Sequence, residues 1–378
     1  MKVAVLGAGY SGNIIARDLA ENPSIEVTIV DINQEVLDKL KHNYDLRIIC
    51  ADLSKTDIIK DIVKDFDLVI GALPYYLGYK VLKAVIEAGK NIVDISYFEE
   101  DPLLLDELAK KKGVTAVVDC GVAPGLSNII LGYVDSILNK TEVFLCYVGG
   151  LPVDKNWLFN YRSPYPPIEV LEEYILTAKY IENGEIVEKP ALSEPELLEF
   201  PEVGTLITIN TDGLRTLIKT MDIPFMKEKT LRYPEHIEKM KTLKDAGFLN
   251  TEEIDVKGKK IKPIEFTHRL LVDHWMFEEG DEDFTAMRII IEGINDNKKV
   301  RYTFDMLDKY DREKGILSIA RTTGYTCTAV AQIILEGKFK ETGIIPPELL
   351  GKHSEIYHQV IDYLRKRNVI FKETIEEL

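Results

Sequence analysis

The segment Lys2-Val-Ala-Val-Leu-Gly-Ala-Gly-Tyr-Ser-Gly12 constrains this chain more than any other. A short apolar run ends in Gly7, Gly9 and Gly12, and a helical pattern follows from Asn13 to Glu21. A second apolar run, Val27 to Val30, ends in Asp31. Strand, glycine turn, helix, strand and acid in this order open a parallel sheet that binds a dinucleotide. Gly7 permits the tight turn, Gly9 lets the backbone approach a pyrophosphate, and Gly12 lets helix and strand pack closely. Ala8, Tyr10 and Ser11 complete the turn, and the free N–H groups of the helix start face the phosphates. Asp31 lies 24 residues after Gly7, the position of an acid that grips the ribose hydroxyls. A carboxylate there repels a 2′-phosphate, which predicts NAD rather than NADP. The alternative is a doubly wound domain that has lost its ligand.

The first 125 residues continue to alternate strand and helix. Strands are expected at 2–7, 26–30, 47–50, 68–71, 91–95 and 115–119. Helices are expected near 11–21, 34–42, 54–65, 77–89 and 101–112, with Gly89 and Gly113 as C-terminal caps. Runs such as Leu68-Val-Ile-Gly71 are apolar on both faces, as buried parallel strands are. The fold class is therefore α/β, a Rossmann doubly wound parallel sheet.

With 378 residues the chain predicts more than one domain. After residue 125 the pattern becomes that of an α+β domain with mixed or antiparallel sheet. Its strands are expected at 142–148, 205–210, 286–293 and 299–307, with a helix over 232–250. The expected domains are 1–125 for NAD, 126–310 for substrate and dimerisation, and 311–378 for C-terminal helices returning to the first. The last of these holds a helix over 326–336 and a charged helical tail over 345–378.

A formal net charge of −16 disfavours nucleic acid and anionic membranes as partners. No stretch approaches the roughly 20 apolar residues of a membrane span. The first strand begins at once, which leaves no room for a signal peptide. Cys50, Cys120, Cys146 and Cys327 are widely spaced, without a CxxC pair. That predicts a reduced, cytoplasmic protein without a structural metal. His268 and His274 lack a third ligand at metal-site spacing and read as structural. An antiparallel sheet in the second domain could pair across a two-fold axis, so a homodimer is expected.

Ligands bind a doubly wound sheet at the carboxyl ends of its strands, and the polar motifs of this chain follow the strands. Asp52 and Leu53 after the third strand line the adenine pocket, or Asp52 caps the next helix with Ser54 and Thr56. Leu73 and Pro74 after the fourth strand lie beside the nicotinamide ribose. The adjacent Tyr75 and Tyr76 are either part of that loop or core. Asp94 and Tyr97 end the fifth strand, where they bind an amine or relay a proton, unless Asp94 only ties loop backbone.

Asp119 and Cys120 enter the rigid junction Gly121-Val-Ala-Pro-Gly125. They line a cleft, or Cys120 is simply a buried apolar thiol. Arg232 and Tyr233 stand at a helix start in Thr230-Leu-Arg-Tyr-Pro-Glu-His236. Arg232 has the fork that holds a carboxylate, and His236 is a candidate proton carrier. The alternative for both is a surface contact. Arg321 and Thr322 open the returning helix and offer donors to an anion, or the threonines cap it. Thr211-Asp212-Gly213, after a strand, reads as a turn or, as the alternative, places a substrate-facing acid.

Taken together, the GAGYSG turn, ALPYYLG loop, VDCGVAPG junction, TLRYPEH segment and ARTTGY helix start resemble the saccharopine dehydrogenase-like oxidoreductases. Within them the likeness is greatest to the L-lysine 6-dehydrogenase branch, and it spans nearly the whole chain. Saccharopine reductases of this group carry an acid before the Pro-Gly of the junction, where this chain has Ala123. Glu235 stands where relatives often have Gly. The resemblance implies NAD-dependent oxidative deamination of the lysine ε-amine to 2-aminoadipate 6-semialdehyde, with release of ammonia. It implies Arg232 at the substrate carboxylate, with Asp94, Tyr97 and Asp119 at the amine and Tyr97 or His236 moving protons. Two rivals remain. One is a dehydrogenase of another amine or imine, such as saccharopine or a carboxyalkyl polyamine. The other is a non-catalytic NAD sensor.

Overall fold

Seven parallel strands form the core of the first of two compact units in the computed structural model, which describes every residue except 45, 164–166 and 279. This unit comprises residues 1–137 and 320–369. Six strands come in chain order: β1 (Lys2–Leu6), β2 (Glu26–Asp31), β3 (Arg47–Cys50), β4 (Leu68–Gly71), β5 (Asn91–Asp94) and β6 (Thr115–Val117). Gly343–Ile345 is the seventh and pairs with β6. The spatial order runs from this strand through β6, β5, β4, β1 and β2 to β3. The chain reverses direction across the sheet between β1 and β4, the switch point where such folds open a crevice.

Sequence chemistry sets these elements. Val3 to Leu6 and Leu68 to Ile70 expose no surface, because helices cover both faces of the sheet. Asn33 caps the helix Gln34–Asn43 by accepting from the N–H groups of Glu35 and Val36. Gly113 closes Asp106–Lys112 in the left-handed conformation.

The second unit comprises residues 138–319 and 370–378. Its nine-stranded mixed sheet centres on the long strand Lys140–Pro152. Phe225–Arg232 pairs with it in parallel and Asp283–Asn295 antiparallel. Lys298–Lys309 continues the sheet beyond Asp283–Asn295. On the other side Gly204–Asn210 and Glu196–Phe200 follow Phe225–Arg232. The helices Pro167–Glu173, Pro234–Asp245 and Pro263–Trp275 pack around Tyr161, Tyr174, Ile237, Met240 and Trp275.

Three local expectations are corrected. The helix expected over 326–336 runs Ser318–Leu335, so Arg321 and Thr322 lie within it instead of opening it. Its N-terminus is capped from far away: Asp283 accepts from Ser318 N–H at 2.6 Å and Ile319 N–H at 3.0 Å. The tail is not helical throughout. Ser354–Arg365 is a helix, but Phe371–Glu377 is a strand on Lys298–Lys309. It is an edge strand, and the charges that protect such an edge also imitate a solvated helix. Gly343–Ile345 was missed because three residues carry no periodicity.

Candidate active site

The crevice at the switch point is built by the glycines. Gly7 has φ +106°, and a Cβ there would collide with the Ala72 carbonyl just after β4. A Cβ on Gly12 would collide with the Gly7 carbonyl. Both glycines are thus required by the protein's own packing. Gly9 differs: nothing lies within 4 Å of the place its Cβ would take. It is the N-cap of the helix Tyr10–Ala20 and receives no side-chain cap. Open space over a glycine backbone at a helix N-terminus fits a dinucleotide pyrophosphate. Asp31 reaches this turn from the end of β2. Its Oδ2 accepts from Ala8 N–H at 2.7 Å and its Oδ1 from Asn33 N–H at 2.8 Å. Tyr10 and Ser11 begin the helix beside them.

Further along the carboxyl edge, Asp52 accepts from Ser54 N–H at 3.0 Å and pairs with Lys55 at 3.4 Å. The Ser54 bonds hold the Asp52 carboxyl below its ordinary range. Leu53 is buried in the core of the unit. Leu73 N–H donates to the Ser96 hydroxyl at 3.0 Å, which ties the loop after β4 to the loop after β5. Pro74 caps the helix Tyr75–Glu87.

Asp94 ends β5 and Asp119 lies just beyond the neighbouring β6, and both are buried. A Cβ on Gly71 would fall on the Asp94 carboxylate, so β4 ends in glycine to make room for it. Asp94 Oδ1 accepts from Ser96 N–H at 2.6 Å, and its carbonyl accepts from Cys120 N–H at 2.9 Å. Asp119 has φ +51°, a conformation that aspartate tolerates better than most residues. Burial, reinforced by the Asp119 and Asp94 carboxylates, pushes the Cys120 thiol far up. It stays protonated and is no nucleophile. Tyr97 is 37% exposed at the same edge. Arg321 is buried, donates to the Arg367 carbonyl and lies 5.7 Å from the Tyr325 ring centroid. Thr322 is wholly buried.

The second unit gathers Arg232, His236 and two residues that the sequence did not single out, Glu173 and Tyr174. Arg232 Nη2 donates to Glu173 Oε2 at 2.9 Å, Nε to the Tyr174 hydroxyl at 3.0 Å and Nη1 to the Leu231 carbonyl at 3.0 Å. Its guanidinium carbon lies 5.0 Å from the Tyr161 ring centroid. Thr230 also donates to Glu173, at 2.6 Å. His236 exposes no surface; its Nδ1 is 2.8 Å from the Phe159 carbonyl. A carbonyl only accepts, so Nδ1 carries the proton and Nε2 accepts from the Tyr174 hydroxyl. Burial, aided by the Arg232 charge, lowers His236 to about 3, so its imidazole is neutral. Tyr233 donates to the Pro152 carbonyl at 2.9 Å.

The structure thus assembles the glycine turn with Asp31, and Asp94 with Asp119 and Cys120, in the first unit. It assembles Arg232 with His236 in the second. Ser96, Glu173 and Tyr174 had no signal beyond their neighbours in sequence. Among the described residues, no group of three His, Cys, Asp or Glu is arranged to hold a metal, and no helix is long and apolar enough to cross a membrane.

Two family models match the chain. The saccharopine dehydrogenase NADP binding domain covers residues 3–117, and the saccharopine dehydrogenase C-terminal domain covers 121–370. The mitochondrial alpha-aminoadipic semialdehyde synthase of Rattus norvegicus is 22% identical over 98% of this chain, which spans 47% of that relative's length. The carboxyaminopropylagmatine dehydrogenase of a Synechocystis strain is 23% identical over 96% of this chain and 98% of its own. In fold, the saccharopine dehydrogenase (L-Glu forming) of Saccharomyces cerevisiae superposes with a TM-score of 0.82, at 20% identity over 99% of both chains.

Proposed function

This chain belongs to the saccharopine dehydrogenase family, and on that footing we propose that it is an NAD-dependent amine dehydrogenase acting on the ε-amine of L-lysine. Water is consumed, and 2-aminoadipate 6-semialdehyde and ammonia are formed. The observation that carries the amine class is the pair of buried carboxylates, Asp94 and Asp119, at the ends of adjacent parallel strands. Such a corner suits a cation, and it lies on the same sheet edge as the glycine turn.

A bound nicotinamide supplies the hydride acceptor. Gly7, Ala8, Gly9, Tyr10, Ser11 and Gly12 hold the pyrophosphate, Asp31 the adenosine ribose, Asp52 and Leu53 the adenine. Leu73 and Pro74 flank the second ribose. The family's nucleotide domain is described as NADP binding; the Asp31 carboxylate at the ribose position supports NAD for this chain. The ε-ammonium must lose a proton before its carbon is oxidised, and Asp94, Asp119 or Tyr97 accepts it. The same groups steer water onto the resulting imine. In the second unit Arg232, with Tyr233 beside it, is our candidate for an anionic substrate group, and in the first unit Arg321 and Thr322 are candidates for substrate support. His236, neutral and doubly bonded, sets the Tyr174 hydroxyl and through it Arg232. We place the protein in the reducing cytoplasm, on its four free thiols, and read it as a homodimer pairing through the second unit's sheet.

One second reading has a specific support. The end-to-end match to a carboxyaminopropylagmatine dehydrogenase favours a carboxyalkyl secondary amine, which the same carboxylate pair would hold. NADH formation separates the two. The expected result is turnover with NAD and L-lysine and none with saccharopine or carboxyaminopropylagmatine. Turnover with a secondary amine alone replaces lysine as the substrate.

A further inference from the structure

Two wholly buried polar residues, Asn128 and Glu348, fasten the junction loop of the first unit although they lie 220 positions apart. Asn128 Oδ1 accepts from Gly125 N–H at 3.1 Å and from the Ser127 hydroxyl at 3.1 Å. Its Nδ2 donates to Glu348 Oε2 at 2.9 Å. Glu348 stands on the short helix Pro347–Gly351, which lies directly against the helix Leu126–Ile137. The approach is so close that a Cβ on Gly132 would collide with the Glu348 carbonyl, and one on Gly351 with that of Ile129.

The loop also closes on itself. Gly121 N–H donates to the Pro124 carbonyl at 3.1 Å, and Leu126 N–H to the Gly121 carbonyl at 3.0 Å. Gly125 has φ +135°, and a Cβ there would overlap Gly121. The segment so held begins directly after Asp119 and Cys120.

Burying a carboxylate and an amide is costly even when they are paired, and an apolar pair of similar volume often stabilises as well or better. An apolar pair would fill the space between these helices. It would not hold the Gly125 N–H. We propose that Asn128 and Glu348 are positioning residues for the oxidation: they hold the Gly121–Gly125 loop so that Asp119 faces the amine. This rests on the reading that Asp119 lines the amine end of the site.

The test is a polarity swap. Asn128→Asp sets two carboxylates against each other, and adding Glu348→Gln restores a donor, reversing the hydrogen bond. Asn128→Asp is expected to lower kcat/KM for the amine by about tenfold or more, with the KM for NAD within about twofold. The double variant is expected to recover most of the loss. Wild-type amine kinetics in Asn128→Asp overturn the proposal, as does a stable double variant that stays impaired. Where Asn128→Asp does not fold, Glu348→Leu serves, with the same loss expected; wild-type amine kinetics there also overturn it. Amide exchange over residues 121–125 quickens in these variants whichever side chain the loop presents. Unchanged kinetics in Asp119→Asn together with quickened exchange therefore reject the reading of Asp119 and not the fastening of the loop.

Discussion

The Tyr174 hydroxyl lies 2.8 Å from Nε2 of His236. The same oxygen accepts from Arg232 Nε at 3.0 Å, so one buried phenol serves a neutral base and a cation at once. Tyr174→Phe leaves the Arg232 Nε donor and the His236 Nε2 acceptor buried without this partner. It is expected to cost about 1–3 kcal/mol of stability, the penalty of an unsatisfied buried polar group. The urea midpoint of the variant checks this, and an unchanged midpoint shows that the hydroxyl holds nothing in place.

The glycines of the turn divide by what they face. A Cβ on Gly12 strikes the Gly7 carbonyl, whereas one on Gly9 meets nothing. Gly12→Ala should therefore lower the melting temperature. Gly9→Ala should melt close to wild type and still bind the dinucleotide more weakly, because its methyl enters the space read as the pyrophosphate's. Calorimetry paired with NAD titration reads both effects. Full NAD affinity in a stable Gly9→Ala would show that the phosphates lie elsewhere.

These two sites differ in how far they were legible in sequence. The turn is written in one contiguous segment whose spacing is set by backbone geometry, so Gly7, Gly9, Gly12 and Asp31 could be read directly. The polar clusters are not local. Tyr174 reaches Arg232 across 58 positions, and no spacing rule links them. The N-terminus of Ser318–Leu335 was misplaced for the same reason, since its capping carboxylate, Asp283, comes from 35 residues upstream. Gly324 lies inside that helix. In the fold its missing side chain lets the helix approach Ile14 and Ile15.

Asp31 is the test of cofactor choice. Its carboxylate already spans the Ala8 and Asn33 N–H groups, which fixes it at the end of β2. Asp31→Ala removes the proposed ribose partner, and with it the charge that would oppose a 2′-phosphate. The KM for NAD is expected to rise about tenfold or more, as for a lost charge-assisted hydrogen bond, while NADP gains relative to NAD. Steady-state kinetics with both dinucleotides measure the ratio. A ratio that does not move would place the ribose away from this residue.

Arg232 carries two expectations at once. Its ion pair with Glu173 is largely buried, and removing one partner of such a pair costs about 3–5 kcal/mol. Arg232→Ala should therefore lose stability. If the guanidinium also receives the substrate carboxylate, the KM for the amine rises about tenfold or more while the KM for NAD stays unchanged. Comparing the two KM values in a variant still folded at the assay temperature isolates the second effect. A destabilised variant with wild-type amine KM would leave Arg232 a structural role only.

Asp283 and His236 pull the pH dependence of stability in opposite directions. Burial, with Asp308 nearby, raises the Asp283 carboxyl from its ordinary 3.8 to about 7. Between those values the folded chain keeps a proton that the unfolded chain releases. The stabilisation is complete at lower pH and is lost as pH rises through about 7. His236 is lowered from 6.5 to about 3. Below 6.5 the unfolded chain takes a proton that the folded chain refuses, so this contribution is lost as pH falls toward 3. In the overlap, from about pH 4 to 6.5, the two slopes oppose and partly cancel. Asp283→Asn removes one of them and still leaves an amide oxygen to cap the helix at Ser318. Its urea midpoint should climb with pH across that window more steeply than that of the wild type. Parallel curves would mean that Asp283 does not hold its proton in the fold.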